Sequence, residues 1–386
     1  MKRKEVPNFL SKRIHERFQH RFNTEWGGVN LFKVNPKDDN DVILCSNDYL
    51  GLCDEEKLHL SNKRDRTGEK IMSSVLLNET SYQAEVERAF TEFFGTEDSI
   101  MCQSGYAANT GLIQAIANED TPVYIDILAH MSLHDGVRLA GAISHPFAHN
   151  SAESARKKIA RHGPGIVVVD TVYSSNGSMC PIADFVALAE ETGCVLVVDE
   201  SHSAGTHGPQ GRGVVYEQGL TDKVDFITAS LAKTFAGRGG LITCPTIFKD
   251  YFQLESHPSL FSSSVMNYDL KWFMDAIEYI KAADKKREKL HAHSKYLRST
   301  LDDLGYDVSG GSEQIISLEI GSEKEVMSLK NHLESNGILA TIFCYPATTK
   351  NKGKVRLTAN ANLSNHALER IVDAFREYKK MTCQSA

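Results

Sequence analysis

The middle of the chain alternates short apolar runs with stretches whose apolar positions recur at helical spacing. The apolar runs, each long enough for a strand, cover residues 123–126, 166–170, 195–199, 226–229 and 240–243. Helical spacing is found over residues 84–94, 151–161 and 184–192. Strands that alternate with helices predict a parallel, doubly wound sheet with helices on its faces. Three of the strands end in aspartate, at positions 126, 170 and 199.

The last third of the chain has a different pattern. A charged helical stretch over residues 271–304 is followed by a glycine-bounded turn at 305–311. Beyond it the pattern predicts a strand (314–320), a helix (323–336), two strands (338–343 and 354–359) and a last helix (365–380). We therefore expect an N-terminal helix and arm over residues 1–45, a large domain over 46–285 and a small α+β domain over 286–386, with a helix that bridges the last two.

The N-terminal segment has the composition of a basic amphipathic helix. Residues 8–22 contain Phe9, Leu10, Ile14, Phe18 and Phe22 among Lys12, Arg13, Arg17 and Arg21. Such a helix either touches a membrane surface or packs on the body of the protein or on a partner subunit. The second interpretation is favoured, because these helices usually bury their apolar face in protein.

Composition limits the class of protein. The chain has 386 residues, 41% hydrophobic and 24% charged, which is typical of a globular protein with a large core. A net charge of −7 argues against a general nucleic-acid binder. No run approaches the ~18 apolar residues of a membrane span, so no stable membrane association is expected. Lys2, Arg3 and Lys4 are not followed by the apolar core of a secretory signal. The eight cysteines are scattered, as in a cytoplasmic protein with reduced thiols.

Two of the predicted strands lead into residues with complementary chemistry. Residues 195–198 lead into Asp199 and, three positions later, His202, while residues 226–229 lead to Lys233. The carboxyl ends of parallel strands meet at one edge of the sheet, where ligands of such folds bind. A lysine that forms a Schiff base and an aspartate that pairs with a pyridinium nitrogen are what pyridoxal phosphate (PLP) requires of a protein. The sequence therefore predicts a PLP site, in which His202 hydrogen-bonds the phenolic oxygen of the ring.

Other interpretations of these motifs are weaker. Asp-Glu-x-His also occurs in nucleotide-driven helicases, but the phosphate loop that they require is missing from the sequence. The glycine-rich residues 208–213 include Pro209 and lack the spacing of a dinucleotide loop. The pairs His130/His134 and His145/His149 have helical metal-ligand spacing, yet neither has the glutamate of a His-Glu-x-x-His site. One histidine stacked on an aromatic cofactor is favoured over a metal site.

Two further motifs have both a functional and an ordinary explanation. Ser104 and Gly105 open a predicted helix, whose free amides would bind a phosphate, although Ser-Gly is also a common helix cap. Arg356 lies on a predicted strand of the small domain. It would either clamp a carboxylate through two parallel hydrogen bonds or form a surface salt bridge.

Taken in order, the motifs resemble those of the α-oxoamine synthases, fold-type I PLP enzymes that condense an amino acid with an acyl-CoA. The strings are Ser46-Asn47-Asp48-Tyr49-Leu50-Gly51, Ser104-Gly105-Tyr106-x-Ala108-Asn109, His130-x-Ser132-x-x-Asp135-Gly136, Val198-Asp199-Glu200-x-His202 and Ser230-x-x-Lys233. The resemblance implies an α/β fold: a mainly parallel seven-stranded sheet flanked by helices, with a small C-terminal α+β domain. It also implies a homodimer with a shared active site.

The resemblance assigns a role to each matching residue. Lys233 would hold the cofactor covalently, Asp199 would pair with the ring nitrogen and His130 would stack over the ring. Ser174 and His202 would lie near the phenolic oxygen, while Asn47 and Arg356 would bind the substrate carboxylate. The expected phosphate ligands are Ser104, Gly105, Tyr106, Ser230 and, across the dimer interface, Ser263. The expected catalytic residues are Lys233, His130, Asp199 and His202.

Departures from the family pattern concern the substrate side. They lie at residues 73–78, 346–349 and 360–362, whereas residues 130–133, 162–166 and 228–235 resemble the quorum-sensing autoinducer synthases of this family. That branch implies a medium-chain acyl-CoA and an amino donor larger than alanine, such as S-adenosylmethionine or 2-aminobutyrate, with an α-aminoketone as product. Another α-oxoamine synthase, of the 8-amino-7-oxononanoate or 2-amino-3-ketobutyrate type, and a fold-type I aminotransferase remain as alternatives.

Overall fold

The computed structural model describes residues 7–38, 40–56, 58, 73–77, 79–345 and 347–384. The strands are β1 (Val42–Leu44), β2 (Asp98–Cys102), β3 (Pro122–Asp126), β4 (Ile143–Phe147), β5 (Ile166–Asp170), β6 (Val195–Asp199), β7 (Phe226–Ser230), β8 (Gly240–Cys244), β9 (Ile315–Gly321), β10 (Ile338–Phe343) and β11 (Gly353–Thr358). The basic residues Lys2, Arg3 and Lys4, and the family departures at Asn78 and Pro346, lie outside the described residues.

The helices alternate with these strands through the large domain. They are α1 (Asn8–Ile14), α2 (His20–Thr24), α3 (Tyr82–Phe94), α4 (Gly105–Ile116), α5 (Met131–Leu139), α6 (Ala152–His162), α7 (Ile182–Thr192), α8 (Val214–Glu217), α9 (Thr246–Glu255), α10 (His257–Leu260), α11 (Asn267–Lys281), α12 (Asp284–Asp303), α13 (Glu323–Ser335) and α14 (Asn365–Gln384). Short 3₁₀ turns occur at Leu52–Asp54, Ser74–Leu76, Pro209–Gly211 and Thr221–Lys223.

The large sheet has seven strands in the order β2-β8-β7-β6-β5-β3-β4. All of them run parallel except β8, which is antiparallel to both of its neighbours. An entirely parallel sheet was therefore a wrong prediction, whereas the mainly parallel seven-stranded sheet is confirmed. The reason is the short connection between β7 and β8, residues 231–239, because a parallel crossover needs about a dozen residues or more.

The central strands are buried on both faces, which explains their continuous apolar sequences. Ile166, Val168 and Val197 point to the face that is covered by α4, α5 and α9. Their neighbours Val167 and Leu196 point to the opposite face, which is covered by α6 and α7. Successive side chains of a strand alternate between faces, so a sheet with helices on both sides needs apolar residues at every position.

Edge strand β4 was not predicted, because it does not have this pattern. It contains His145 and Pro146, and four of its five positions are exposed or half-buried. Polar residues and proline are tolerated at a sheet edge, where one side of the strand has no ladder to maintain. Since His145 lies on a strand, the spacing of His145 and His149 is not that of two ligands on one helix.

The small sheet has the order β1-β10-β11-β9. Strand β1 belongs to the N-terminal arm and pairs in parallel with β10, while the other pairs are antiparallel. The arm is thus tied to the C-terminal part of the chain. The charged stretch over residues 271–304 forms two helices, α11 and α12, rather than one. The three domain boundaries stay a prediction.

The N-terminal helical segment is anchored at its end only. Its helices α1 and α2 are joined by a π-helical turn, His15–Gln19. Phe9 is 75% exposed and Phe18 is 40% exposed, so the start of the segment does not bury its apolar face on the body of this chain, as one interpretation expected. Arg21 donates to Glu323 (3.2 Å), which also accepts a hydrogen bond from Trp26 (2.6 Å). Contact of the exposed part with a partner subunit stays a prediction. Within the described residues, no helix is both long and apolar enough to cross a membrane.

Candidate active site

A cavity of about 200 Å³ lies at the carboxyl edge of the large sheet, where β5, β6 and β7 end. It is lined by Ser104, Gly105, Tyr106, Asn109, His130, Asp170, Asp199, Ser201, His202, Ser230 and Lys233. Most of the predicted site residues are among them; the exceptions are Asn47, Ser174, Ser263 and Arg356. A wider cleft of about 990 Å³, whose lining includes Cys194 and Lys223, contains none of the predicted residues, so we place the site in the smaller cavity.

Asp199, at the end of β6, is held in place by two hydrogen bonds. Its Oδ1 accepts from the backbone amide of Ser201 (2.8 Å), and its Oδ2 accepts from the side-chain amide of Asn109 (2.7 Å). Both Asp199 and Asn109 are buried. A buried carboxylate requires hydrogen-bond partners or a positive charge. The fixed carboxylate is therefore suited to pair with a protonated ring nitrogen.

The same network orients His130, which caps the start of α5. Asn109 also donates to the hydroxyl of Ser132 (2.9 Å), and this hydroxyl lies 2.7 Å from Nδ1 of His130. Since the Ser132 oxygen accepts from Asn109, its own hydrogen is available to His130. Nδ1 then accepts, and the ring proton is on Nε2. Burial lowers the pKa of His130, and the positive charge of Lys233 lowers it further. A neutral imidazole suits stacking on an aromatic ring.

Lys233 projects from the tight turn between β7 and β8. Backbone bonds from Leu231 to Gly239 (3.0 Å) and from Gly237 to Leu231 (3.0 Å) close this turn. Burial lowers the pKa of Lys233, and the charge of Arg356 adds to this effect while Asp199 opposes it. A lower pKa raises the fraction of neutral amine, which is the form that acts as a nucleophile or base.

His202 is linked to the small domain through a chain of buried polar groups. The hydroxyl of Tyr49 lies 2.6 Å from Nδ1 of His202 and 3.3 Å from the side-chain oxygen of Asn47. Burial holds the pKa of His202 well below its usual value, and the charges of Lys233 and Arg356 lower it further. The imidazole is therefore neutral near pH 7 and able to hydrogen-bond a phenolic oxygen.

Arg356, on β11, reaches the wall of the site from the small domain. It donates to the carbonyl of Ser174 (2.8 Å) and to Asn47 (3.4 Å), and it is 6% exposed. Its buried Nε has no hydrogen-bond partner within the described residues. A buried guanidinium with an unused donor is ready to accept a carboxylate. The structure thus brings Arg356, Asn47 and Ser174 together, and Tyr49 links Asn47 to His202. None of the three lines the cavity.

The N-terminus of α4 forms the predicted anion cradle. Ser104 caps this helix by accepting from the amide of Ala107 (3.0 Å). A Cβ atom on Gly105 would approach Cβ of Ser230 to 2.5 Å, so the close contact between α4 and β7 requires glycine. Ser230 itself donates its amide to the hydroxyl of Ser201 (2.8 Å). Free amides and the positive end of the helix dipole favour a phosphate here.

Tyr106 and Ser263 lie at the outer side of this cradle. Tyr106 is 48% exposed, and its hydroxyl donates to Asp135. The backbone carbonyl of Ser263 accepts from the side chain of Gln103, next to Ser104. Within one chain, Ser263 therefore contacts the segment that leads into the cradle, and its role across a dimer interface stays a prediction.

The three aspartates at strand ends have different surroundings. Asp170 lines the cavity next to Asp199 and accepts from the amide of His130 (3.2 Å). Burial, reinforced by the charge of Asp199, raises the pKa of Asp170 well above its usual value. Asp126 instead accepts from the amides of Leu128 (2.8 Å) and Asn150 (2.8 Å) and stabilises a loop. Burial therefore favours the protonated form of Asp170.

These groups fit pyridoxal phosphate. Asp199 is fixed for the ring nitrogen, the neutral His130 is suited to the ring face, and Lys233 offers an amine of lowered pKa. The α4 N-terminus supplies free amides for a phosphate. The buried, unpaired Nε of Arg356 adds a donor for the carboxylate of a substrate.

Sequence reasoning missed four contributors to the site: Tyr49, Asn109, Ser132 and Ser201. A signal existed for Asn109, because it follows Gly105 by four positions in the same helix and so lies on the same face. Tyr49 and Ser201 lie within motifs that were noted for other residues. Their contacts depend on how distant segments pack, which spacing along the chain does not show.

Comparisons with known proteins show which families the chain is similar to. The chain matches the family model of class I and II aminotransferases over residues 39–375. It is 38% identical over 379 residues to the CAI-1 autoinducer synthase of Vibrio campbellii, covering 97% of this chain and 96% of that protein. It is 30% identical over 346 residues to a putative 8-amino-7-oxononanoate synthase of Bacillus cereus, covering 86% of this chain and 87% of that protein.

Solved structures show the same fold. Serine palmitoyltransferase of Sphingomonas wittichii superposes with a TM-score of 0.88 at 26% identity, covering 98% of this chain and 99% of that chain. A structure of SPT with PLP superposes with a TM-score of 0.89 at 24% identity, covering 98% of this chain and 99% of that chain.

Proposed function

Because the chain belongs to the class I and II aminotransferase family and, within it, to the α-oxoamine synthases, we propose that it condenses a medium-chain acyl-CoA with an amino acid to give an α-aminoketone, the precursor of a quorum-sensing autoinducer. It is an enzyme, and its cofactor is pyridoxal 5′-phosphate. The observation that carries the finer proposal is the 38% identity to a CAI-1 autoinducer synthase over nearly the whole of both chains.

The proposed roles follow from the geometry. Pyridoxal phosphate, when bound, withdraws electrons from the α-carbon of the amino acid. Asp199 would keep the ring nitrogen protonated, and His130 would cover the ring face. Lys233 would hold the cofactor covalently, and its amine of lowered pKa would remove the proton from the α-carbon of the amino acid. The α-carbon would then bond to the thioester carbonyl carbon, and CoA would leave as a thiolate that takes up the proton from Lys233. The carboxylate would leave as CO₂, and a proton would take its place on the α-carbon.

Arg356 and Asn47 bind the carboxylate of the amino acid in this proposal. Arg356 is buried, carries an unpaired Nε, and is 3.4 Å from Asn47. Its guanidinium gains a partner for that donor when a carboxylate binds, which supports the role. Ser174 holds the guanidinium through its backbone carbonyl (2.8 Å).

We propose S-adenosylmethionine or 2-aminobutyrate as the donor. Of the family departures, Asn362 donates to Asp54 (3.2 Å) and accepts from Lys286 (3.2 Å), next to the loop that carries Asn47. Residues 347–349 lie in the loop between β10 and β11. Among the described residues, none of these departures lines the cavity that would hold the cofactor, which supports a difference on the amino-acid side.

A homodimer is the proposed assembly. Large apolar side chains close in sequence to Ser263 and His130 are exposed, including Phe261 (76%), Met266 (60%) and Met131 (55%). Exposed apolar surface of this kind marks a protein interface. A second copy would cover it and place its own Ser263 near the phosphate cradle. Analytical ultracentrifugation of the purified protein tests this, and a monomer at micromolar concentration would contradict it. A cytoplasmic location remains part of the proposal.

The experiment that tests the reaction measures release of CoA with a thiol reagent. Purified enzyme with pyridoxal phosphate is given acyl-CoAs of graded length, and S-adenosylmethionine, 2-aminobutyrate, glycine, alanine or serine as donor. Mass spectrometry identifies the product, and Lys233→Ala is the control. We expect the largest kcat/KM with a medium chain and one of the first two donors. A preference for alanine would indicate another α-oxoamine synthase, and amino transfer to a keto acid without release of CoA would indicate an aminotransferase.

A further inference from the structure

Outside the active site, two histidines and a glutamate from distant segments converge at the junction of the two sheets. His207 follows β6, His291 lies in α12 and Glu313 lies just before β9. One potential ligand atom of each lies within 4.8 Å of the others. In the part of the chain that the structure describes, this is the one group of three or more histidine, cysteine or acidic side chains that meets at such a distance.

Hydrogen bonds to neighbouring polar groups, here called outer partners, hold the three side chains in orientation. Nε2 of His207 lies 2.9 Å from the carboxylate of Glu313, while its Nδ1 lies 2.9 Å from the hydroxyl of Thr206. Nε2 of His291 lies 2.9 Å from the backbone carbonyl of Thr206. A carbonyl only accepts, so this nitrogen carries the proton and Nδ1 of His291 keeps its lone pair. The other oxygen of Glu313 accepts from the hydroxyl of Ser312 (2.8 Å).

We propose that His207, His291 and Glu313 form a binding site for a divalent transition-metal ion of the zinc class. Two imidazole nitrogens and one carboxylate oxygen are ligands that Zn²⁺ prefers, whereas Ca²⁺ and Mg²⁺ require mostly oxygen. Histidine ligands whose second nitrogen is fixed by a hydroxyl or carbonyl are the usual arrangement around such ions. Binding replaces the hydrogen bond between His207 and Glu313 and releases its proton to solvent.

The site is reachable from solvent. His207 is 6% exposed, but His291 and Glu313 are half-buried and border the surface. Three protein ligands leave a fourth tetrahedral position for water. The ligands come from both the large and the small domain, so a bound ion joins the two domains across their junction.

The metal site is connected to His202 of the active site. Thr206, which orients both histidines, donates its hydroxyl to the backbone carbonyl of His202 (3.0 Å). Gln314, the neighbour of Glu313, donates to the same carbonyl (2.6 Å). An ion that replaces the hydrogen bond between His207 and Glu313 therefore acts next to both residues that hold the backbone carbonyl of His202. We infer that the ion modulates turnover; this second step rests on the proposed function, whereas metal binding does not.

The test is a titration of chelator-treated holoenzyme with Zn²⁺ by calorimetry and with Co²⁺ by visible absorbance. We expect one ion to bind per chain. The visible absorption bands of bound Co²⁺ should be those of an ion with a low coordination number. Thr206→Val removes an outer partner and lowers the affinity by about 10–100-fold; His291→Ala and Glu313→Gln remove ligands and lower it further. His162→Ala is the matched control. The ring of His162 stacks on that of His145, with 3.9 Å between the ring centres, and neither belongs to the proposed site. This variant should bind the metal with unchanged affinity.

Two results would overturn the metal site: no stoichiometric binding to the holoenzyme, or equal affinity in His291→Ala and the native protein. The cofactor absorbance of each variant reports whether it is folded, and Thr206→Val keeps the ligands if His291→Ala does not fold. Metal that binds as expected without changing kcat or the cofactor spectrum would overturn only the link to His202. Loss of condensing activity with metal binding intact would contradict the proposed function and leave the metal site standing.

Discussion

Asn109 donates a 2.7 Å hydrogen bond from its side-chain amide to Asp199, across 90 residues of sequence. The same nitrogen donates to Ser132 (2.9 Å), which in turn contacts His130 (2.7 Å). One buried amide thus positions the carboxylate for the ring nitrogen and, through a hydroxyl, the imidazole for the ring face. Neither residue is oriented by its own strand or helix alone.

Asn109→Ala should weaken cofactor binding and turnover together. A hydrogen bond to a charged group contributes about 1.5–3 kcal/mol, and its loss leaves one Asp199 oxygen buried without a partner. We therefore expect pyridoxal phosphate to bind about 10–100-fold more weakly, measured by titration of the visible absorbance. Gln114→Ala, five residues further along α4 and outside the cavity, is the control. Unchanged cofactor affinity in Asn109→Ala would show that Asp199 is held by Ser201 alone.

Lys233→Ala should abolish covalent attachment of the cofactor. Borohydride reduction followed by mass mapping should place a pyridoxyl group on Lys233 in the native protein and on no peptide of the variant. Removal of the base should lower kcat by about 10²–10⁴-fold. Lys223→Ala is the control, since Lys223 is exposed and paired with Glu190 (2.8 Å). A pyridoxyl group on a different lysine would show that the cofactor binds elsewhere in the protein.

The pH dependence of attachment follows from the pKa of Lys233. Burial lowers this pKa, so the neutral amine becomes available at lower pH than in an exposed lysine, whose pKa is about 10.4. The rate of cofactor attachment to apoenzyme should rise with pH and level off below that value. Stopped-flow absorbance between pH 6 and pH 10 measures it. If the rate reached half of its maximum at a pH equal to the pKa of an exposed lysine, the lowered pKa of Lys233 would be contradicted.

Tyr49→Phe should perturb His202 without creating a cavity. Tyr49 is fully buried and its hydroxyl lies 2.6 Å from Nδ1 of His202, so phenylalanine fills the space but leaves that nitrogen without its partner. An unmade buried hydrogen bond costs about 1–3 kcal/mol, which predicts a decrease of about 10-fold or more in kcat/KM. The absorbance maximum of the bound cofactor should shift as well. In Tyr124→Phe, which removes a hydroxyl bonded to Gly163, neither quantity should change.

Arg356→Lys should raise KM for the amino acid more than it lowers kcat. Lysine keeps the charge but loses the planar pair of donors that matches a carboxylate. We expect KM for the donor to rise about 10-fold, and further in Arg356→Ala, while KM for acyl-CoA changes little. Arg370→Lys, at a surface position on α14, is the control. An unchanged KM for the amino acid in both variants would show that Arg356 does not bind the substrate.

Glu200→Gln should change how stability depends on pH. Burial raises the pKa of Glu200 to about 8, above the value of about 4.3 for an exposed glutamate. The folded state therefore favours the protonated acid, and its contribution to stability is present below about pH 4 and is lost as pH rises toward 8. The Tm of the native protein should thus fall relative to that of Glu200→Gln between pH 5 and pH 8. Glu217→Gln, which replaces an exposed glutamate, is the control. If Tm depended on pH in the same way in the native protein and in Glu200→Gln, the raised pKa of Glu200 would be contradicted.

The sequence by itself determined the central strands of the large sheet, the edge at which they end and the chemistry found there. Asp199 and His202 directly follow an apolar run, and Lys233 follows another, because buried parallel strands become polar where they reach the ligand-binding edge. These are local relationships, and a pattern of apolar and polar positions is enough to reveal them. The order of the family motifs then narrowed the chemistry to one cofactor.

Only the tertiary structure decided which of these groups meet. Asp126, Asp170 and Asp199 all end strands, yet Asp126 binds a loop while the other two line the cavity. The bond between Asn109 and Asp199, and the convergence of His207, His291 and Glu313, depend on how helices dock on the sheet and on the register between distant strands. Those arrangements result from packing over the whole core, so residue spacing along the chain does not specify them.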